Sequence, residues 1–260
     1  KTYSNITGTN QKVTKVYDGT TSTSSSTFGN VTITSANGLS SNVNVALSNK
    51  TYTYGAKDSG NSNVVRANSA YTITSASHSK HGNVYGLAAS STTKTINNAQ
   101  ISPKPISLTG TRNYDGTTIV DSTDLTVGNF VDKETLILSG TGSLSSANTQ
   151  SNSSLASTAS LSLADGSNGG VASNYTLTGG QHSVTVTKKP IKLSGSRKIN
   201  RINRNIKLSS GQLRIGNQFK EDDVKLSGST KVKVTSEGLN KIGTDGLKLV
   251  GKDASNYTLL

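Results

Sequence analysis

The sequence predicts an all-β chain built from tandem small β-rich modules, with few or no long helices. Three observations carry this prediction: short alternations of apolar and polar residues, frequent glycine turns, and a long internal repeat.

The alternations are the strand signal. In SVTVT, residues 183–187, the two valines point to one face and the hydroxyls to the other, as in a half-buried strand. Apolar spacing of three and four residues is nowhere sustained, which argues against long helices. The same period of two occurs in VTIT (31–34), SLSL (160–163) and KVKVT (231–235).

Composition favours small, turn-rich modules with thin cores. The hydrophobic fraction is 31%, below the roughly 45–50% of ordinary domains, a reference that also counts glycine. Ser, Thr, Asn and Gly make up the difference. The sequence has no cysteine, so we expect neither disulfides nor thiolate metal sites. No apolar run approaches the ~18 residues of a membrane span, and we expect the sequence to be a piece of a longer chain.

An internal repeat organises the chain. KVYDGTT (15–21) returns as RNYDGTT (112–118), 97 positions later, and PKPISLTGTR (103–112) returns as KKPIKLSGSR (188–197) without the YDG that should follow. A second motif, ASNYTL, occurs in VASNYTLTGG (171–180) and in DASNYTLL (253–260).

We therefore predict three modules: 1–102, 103–188 and a degenerate, truncated, basic module at 189–260, with prolines at the junctions. Solenoid repeats have periods of about 20–50 residues, whereas this period is long enough for a module with its own core. Each module is expected to be an immunoglobulin-like sandwich or a β-grasp-like fold, and the modules to form an elongated stalk.

The YDG segments have a turn chemistry. Gly accepts positive φ, Asp can bond the backbone two residues on, and the preceding Tyr can pack its ring on the core. A calcium or glycan contact through the aspartates is the alternative, but few other carboxylates lie near them, so we expect no metal. The predicted turn residues are Tyr17, Asp18, Gly19, Tyr114, Asp115 and Gly116.

The order of P-x-P-[IL]-x-L-x-G, YDGTT, ASNYTLTGG and VTVTxKPI resembles the YDG repeat of filamentous-haemagglutinin-like and high-molecular-weight adhesins, which Gram-negative bacteria export by two-partner secretion. Residues 103–195 match throughout, the first module matches at YDGTT, and the third lacks YDG. The resemblance implies a secreted, outer-surface segment used in host-cell attachment and virulence. It also implies an outer-membrane secretion partner for the full-length protein and possible glycosylation of sequons. It assigns no binding residue.

No enzyme signature is present in the sequence. The histidines are His78, His81 and His182, and the first two lie three residues apart in a Ser/Lys-rich stretch with no nearby carboxylate. Neither a nucleophile elbow nor a phosphate loop is recognisable. We therefore expect no catalytic site, no metal and no cofactor. The sequons considered for glycosylation are Asn5, Asn30, Asn49 and Asn152; a turn role is the alternative for Asn174 and Asn256.

Two functions stay open: a stalk, or a segment that itself binds host glycans or glycoproteins. Residues 188–260 carry a net charge of +10 against +3 for the rest, which favours sulfated or sialylated glycans or lipopolysaccharide, although a solvated face is the simpler interpretation. Nucleic acid is not expected, because no recognition motif occurs. The candidate contacts are Arg197, Lys198, Arg201, Arg204, Tyr52 and Tyr54, with a core strand as the alternative for the two tyrosines.

Overall fold

The chain is all-β in its computed structural model, which describes residues 2–3, 6–8, 14–23, 31–33, 43–47, 52–67, 73–78, 82–83, 88–89, 95–198, 202, 204–235, 238, 240 and 242–260. Side chains are described within 14–23, 52–60, 99–198, 202, 204–235, 238, 240 and 242–260. Strands dominate this part of the chain, and none of its helices reaches seven residues. The helices in it are 3-10 turns at Ser122–Asp124, Ala172–Asn174, Ser210–Gln212 and Ala254–Asn256.

The strands are short and numbered in chain order. The first twelve are β1 (Thr2–Tyr3), β2 (Ile6–Gly8), β3 (Thr14–Val16), β4 (Val31–Ile33), β5 (Val43–Leu47), β6 (Tyr52–Tyr54), β7 (Gly60–Ala67), β8 (Ile73–His78), β9 (Gly82–Asn83), β10 (Ala88–Ala89), β11 (Thr95–Ser102) and β12 (Lys104–Pro105). The others are β13 (Ser107–Asn113), β14 (Ile119–Asp121), β15 (Leu125–Gly128), β16 (Leu136–Ser143), β17 (Gln150–Ser154), β18 (Ser157–Asp165), β19 (Tyr175–Thr176), β20 (His182–Thr187), β21 (Lys189–Ser194), β22 (Arg204–Ser209), β23 (Arg214–Gly216), β24 (Lys225–Val234), β25 (Leu247–Val250) and β26 (Tyr257–Leu259).

The chain packs into two compact units that differ from the three predicted modules. Unit one combines residues 1–106 with 129–137 and 164–179, and unit two combines 107–128 with 138–163 and 180–260. Each unit therefore contains pieces of two neighbouring modules. The three-module division stays a prediction about which pieces fold independently.

Unit one contains a four-stranded sheet of order β3-β11-β7-β6. The central strand β11 runs parallel to β3 and antiparallel to β7. Ala99 and Ile101 of β11 are buried. Smaller sheets pair β1 with β10, β2 with β4, β12 with β19, and β5 with β8 and β9.

Unit two contains the matching four-stranded sheet, of order β15-β13-β20-β17. Here β20 runs parallel to β13 and antiparallel to β17. Three-stranded sheets follow, of orders β14-β16-β18, β23-β21-β26 and β22-β24-β25. Both units thus place a buried strand between one parallel and one antiparallel neighbour.

The strand alternation predicted from the sequence is confirmed where side chains are described. Val184 and Val186 of β20 are buried. Val232 and Val234 of β24 are also buried, while the lysines beside them are exposed. Valine buried on one face with Thr or Lys on the other is what a pleated strand with one apolar face requires.

The core of unit two mixes residues of the second and third modules. The third module contributes Ile191, Val224 and Tyr257 to a cluster whose other members come from the second module. This differs from the expectation that each module encloses a core of its own. The second-module members are Tyr114, Val120, Leu144, Val184 and Val186.

The proline motifs anchor each module to its own ASNYT strand. In the second module Lys104 pairs with Tyr175 in a parallel ladder, and in the third Lys189 pairs with Tyr257. An asparagine with positive φ supports each proline segment: Asn129 Nδ2 donates to the Pro105 carbonyl at 2.7 Å, and Asn217 Nδ2 to the Pro190 carbonyl at 2.8 Å. These parallel ladders fix the position of Tyr175 and Tyr257.

Candidate functional site

The two YDG turns have the same local geometry. Asp18 Oδ1 accepts from the Thr20 backbone N–H at 2.9 Å and from its hydroxyl at 3.0 Å. Asp115 Oδ1 accepts from the Thr117 backbone N–H and hydroxyl at the same two distances. The intervening glycine has a φ of +76° in the first turn and +79° in the second, a conformation that glycine adopts without steric cost.

A cation three residues before each aspartate completes the turn. Lys15 Nζ lies 2.7 Å from Asp18 Oδ1 and also donates to the carbonyl oxygens of Thr20 and Ser22. Arg112 forms an ion pair with Asp115 and donates to the Thr117 carbonyl at 2.6 Å.

Both aspartates are held in their ionised form by these contacts. Partial burial alone would raise the pKa of Asp115, but hydrogen bonds from Thr117 and Arg112 outweigh it, and the pKa lies below its ordinary value. In the same way, bonds from Lys15 and Thr20 outweigh burial and lower the pKa of Asp18.

The tyrosine of the first turn reaches a carboxylate of the second module. The Tyr17 hydroxyl donates to Glu134 Oε1 at 2.7 Å, and the Tyr175 hydroxyl donates to Glu134 Oε2 at 2.6 Å. The two tyrosine rings meet edge to face at 5.5 Å, and Phe130 packs on Tyr175 at 5.8 Å. All of these residues lie in unit one, and we call the set Tyr17, Glu134 and Tyr175 the first junction.

The tyrosine of the second turn reaches a carboxylate of the third module in the same manner. The hydroxyls of Tyr114 and Tyr257 donate to Asp222 Oδ2 at 3.0 and 2.6 Å. Their rings meet edge to face at 5.4 Å, and Phe219 packs on Tyr114 at 5.9 Å. We call Tyr114, Asp222 and Tyr257 the second junction; it lies within unit two.

In each junction, one tyrosine hydroxyl also accepts a hydrogen bond from a backbone N–H. The Val131 N–H donates to the Tyr175 hydroxyl at 3.0 Å, and the Phe219 N–H donates to the Tyr257 hydroxyl at 3.1 Å. A Cβ added at Gly19 would lie 2.7 Å from Val131 Cγ1. Glycine is therefore needed at this turn for close approach as well as for its φ.

The junctions keep their tyrosines protonated. Burial, followed by the hydrogen bond to Glu134, raises the pKa of Tyr175 to about 12. Burial and the hydrogen bond to Asp222 raise the pKa of Tyr114 to about 12. The pKa values of Tyr17 and Tyr257 are raised for the same reasons.

The asparagine of each ASNYT motif clamps a loop of the preceding module. Asn174 accepts from the Ser59 backbone N–H at 2.7 Å and donates to Asp58 at 2.8 Å. Asn256 accepts from the Thr149 backbone N–H at 2.9 Å and donates to Asn148 at 2.8 Å. Both asparagines are fully buried, so neither side chain is presented for modification.

The sequence did not point to Glu134 or Asp222. Each lies five residues after an asparagine of positive φ, in GNFVDKE (128–134) and GNQFKED (216–222). The two segments share the glycine, the asparagine and the final acid. This shared pattern could have identified Glu134 and Asp222 as equivalent residues of the repeat.

The other candidate residues have separate placements. Tyr52 and Tyr54 share a strand face, but that face is buried, and the two residues are 6% and 3% exposed. They therefore belong to the core, as the alternative interpretation had it, and present no ring to a glycan. Asn152 is exposed, whereas Asn5, Asn30 and Asn49 lie outside the described residues.

The basic candidates are exposed where the structure describes them. Arg197, Lys198 and Arg204 are exposed, and the Arg197 guanidinium donates to the Lys207 carbonyl at 3.0 Å. Arg201 lies outside the described residues.

The described part of the chain has no group of three or more His, Cys, Asp or Glu that could hold a metal ion. His182 is half-buried in β20, while the His78 side chain and His81 lie outside the described residues. None of the helices that the structure describes has the length and apolarity needed to cross a membrane.

Comparison with known proteins adds no relative: no family model, no curated protein and no solved structure matches the chain.

Proposed function

We propose that this chain is a non-enzymatic repeat segment of a large secreted bacterial surface adhesin, and that it acts as a stalk or spacer in attachment to host cells. The YDG and ASNYT motifs carry the resemblance on which the adhesin class rests. In the full-length protein, an outer-membrane partner would export the segment to the cell surface.

The observation that supports a stalk is the recurrence of one junction. In unit one, the turn of the first module meets the carboxylate of the second; in unit two, the turn of the second meets the carboxylate of the third. A contact that joins the turn of one module to the carboxylate of the next is head-to-tail, so it can be repeated along a chain. Repeat proteins extended by nearest-neighbour contacts are built in this way.

The polar contacts of the two junctions suit a role in holding neighbouring modules together. Each junction combines two charge-assisted hydrogen bonds with edge-to-face aromatic packing, and a buried asparagine adds two further bonds across the same pair of modules. Modules joined in this way resist separation without cysteine, of which the sequence has none.

Small-angle scattering of the 260-residue chain tests the stalk. A compact particle of this length has a radius of gyration of roughly 18 Å. We expect a clearly larger value, above about 25 Å, and a distance distribution with a long tail. A value close to the compact one would contradict the stalk.

A second candidate function, binding of sulfated or sialylated glycans, is favoured by one sheet face of the third module. Lys207 of β22 lies directly opposite Lys231 of β24, and Lys233 follows two residues later on the same face; all three are exposed. Like charges directly opposite each other destabilise a sheet. A bound polyanion would offset the electrostatic repulsion between these lysines.

Heparin chromatography in a salt gradient tests this second function. The double variant Lys231→Ser and Lys233→Ser should elute at lower salt than the unmodified chain. The contacts it loses, between lysine ammonium groups and heparin sulfates, are electrostatic and are screened by salt. The matched control removes the same charge at two other exposed lysines, Lys57→Ser with Lys133→Ser. Equal elution of the two double variants would assign retention to net charge alone and leave the stalk as the function.

A further inference from the structure

The second module places its entering and leaving strands side by side. Its first long strand, β13, runs parallel to its last strand, β20, in a ladder of opposed pairs from Leu108–His182 to Asn113–Thr187. In a parallel pair, the start of one strand and the end of the other lie at opposite ends of the ladder. The chain therefore enters this ladder at one end and leaves it at the other.

Hydrogen bonds close the ladder at both of its ends. The Leu108 N–H donates to the Gln181 carbonyl at 3.0 Å, and the Tyr114 N–H donates to the Thr187 carbonyl at 2.8 Å. The Thr187 hydroxyl also donates to Asn113 Oδ1 at 2.7 Å. Because the bonds of a parallel ladder are evenly spaced along the strands, a pull along the strands is shared among all of them.

The ladder is the central pair of its sheet, because β15 flanks β13 and β17 flanks β20. Apolar side chains cover one face of it: Leu108 and Val184 are 0% exposed, and Val186 is 2% exposed. Water that reaches a hydrogen bond offers its groups replacement partners and lowers the net cost of breaking it. The position of this ladder limits that access.

The first module contains the same arrangement. Its strand β3 runs parallel to β11, with Thr14–Val16 opposite Gln100–Ser102. The Tyr17 N–H donates to the Ser102 carbonyl at 2.9 Å, as the Tyr114 N–H does to the Thr187 carbonyl. In both modules the ladder thus reaches the YDG tyrosine, and the chain continues from its end directly into the proline motif of the next module.

We infer that the β13–β20 ladder is a mechanical clamp, a set of hydrogen bonds that tension along the chain loads in shear, so that they must break together. Tension enters the ladder at Ser107, the start of β13, and leaves it at Thr187, the end of β20, which lies at the opposite end. Forced unfolding is governed by the unfolding rate and not by equilibrium stability. The inference rests on the proposed stalk only for the source of the tension.

The test is single-molecule force spectroscopy on the whole 260-residue chain, with handles attached to pairs of engineered cysteines. The sequence has no cysteine of its own, so each pair provides unique attachment points. One cysteine is always Lys188→Cys, directly after β20. The other is Thr109→Cys, Thr111→Cys or Asn113→Cys, at three exposed positions of β13.

The three attachment points differ in how much of the ladder lies between the handles. Five opposed pairs lie between them for Thr109, three for Thr111 and one for Asn113. The first attachment loads the ladder in shear, and the last peels it open from its end. Asn113→Ala is added to the Thr109 and Thr111 variants, so that all three lack the side-chain bond from Thr187.

We expect the rupture force to fall in the order Thr109, Thr111, Asn113. It should be at least about twofold higher for Thr109 than for Asn113, because evenly spaced bonds loaded in shear share the force whereas peeled bonds break one at a time. Each opening should lengthen the tether by roughly 250 Å, since about 75–79 residues become extended. Urea denaturation checks that each variant is folded, and if one is not, the order of the other two still decides.

Equal rupture forces at the three attachment points, or the reverse order, would overturn the clamp and leave the stalk unaffected. The stalk fails separately, through a compact particle in small-angle scattering, and that result would leave the expected order of forces unchanged.

Discussion

The two junctions use the same parts but differ in how the carboxylate is shared. In the first junction Glu134 gives one oxygen to each tyrosine, and in the second Asp222 gives a single oxygen to both. Glu134 is buried, at 8% exposure, whereas Asp222 is half-buried. Glu134 therefore accepts from the two tyrosine hydroxyls with separate oxygens. Because it is more buried than Asp222, water is less able to replace its hydrogen bonds.

The turns that feed the junctions differ in a parallel way. Lys15 has several oxygen acceptors besides Asp18, while the Arg112 side chain is 5% exposed and relies on Asp115 and one carbonyl. One architecture thus distributes its stability differently in its two copies: the first depends more on the carboxylate acceptor of its junction, and the second more on the ion pair of its turn.

Removal of the acceptor should have the largest effect. Glu134→Ala leaves two buried hydroxyls without their charged acceptor, and we expect a loss of roughly 3 kcal/mol in the free energy of unfolding. Asp222→Ala should cost less, about 2 kcal/mol, because water can reach its site. Urea denaturation measures both, with Lys133→Ala and Glu221→Ala as exposed neighbours that should change little. A larger loss for Asp222→Ala would invert the comparison.

Removal of the turn aspartates should show the opposite order. Asp115→Ala leaves a buried guanidinium without its carboxylate, and we expect a loss of about 2 kcal/mol. Asp18→Ala should cost about 1 kcal/mol, comparable to the loss of a helix cap, since Lys15 retains carbonyl acceptors. Thermal unfolding compares the two variants. Neither should abolish heparin or glycan retention; lost retention at an unchanged melting temperature would make the aspartate a contact residue.

Alkaline pH should weaken the junctions by a smaller and graded amount. In the folded chain, Tyr114 and Tyr175 have pKa values of about 12. A tyrosine in the unfolded chain has a pKa of about 10. Above pH 10 the unfolded state therefore loses protons first, so stability is intact below pH 10 and falls as the pH rises towards 12. Urea midpoints measured across this window should decline. Tyr114→Phe should flatten the decline, and an identical slope in that variant would contradict the assignment.

The sequence allowed the local structure to be predicted. Alternation in segments such as 183–187 identified strands, and YDG identified a turn that needs positive φ, because both are properties of neighbouring residues. The same alternation placed Tyr52 and Tyr54 on one strand face. It left open whether that face contacts glycan or packs in the core, because a period of two does not show whether a shared face is buried or exposed.

The junctions could not be predicted in the same way. Tyr17 and Glu134 are 117 positions apart in the sequence, and a repeat shows which segments are alike, not which of them touch. The mixed core of unit two is a second instance: Ile191 and Tyr257 belong to the third repeat by sequence and pack with Val120 of the second. Such contacts depend on how modules meet, and the sequence pattern is the same whether they meet or not.

The most direct test of the head-to-tail junction is a double-mutant cycle between modules. Unfolding free energies are measured for Tyr17→Phe, Glu134→Ala and the double variant, with Lys133→Ala replacing Glu134→Ala in a parallel control cycle. If the first turn is bonded to the second module, the Tyr17 and Glu134 changes should couple by roughly 1–2 kcal/mol while the control cycle is additive. Additive effects of Tyr17→Phe and Glu134→Ala would contradict the junction.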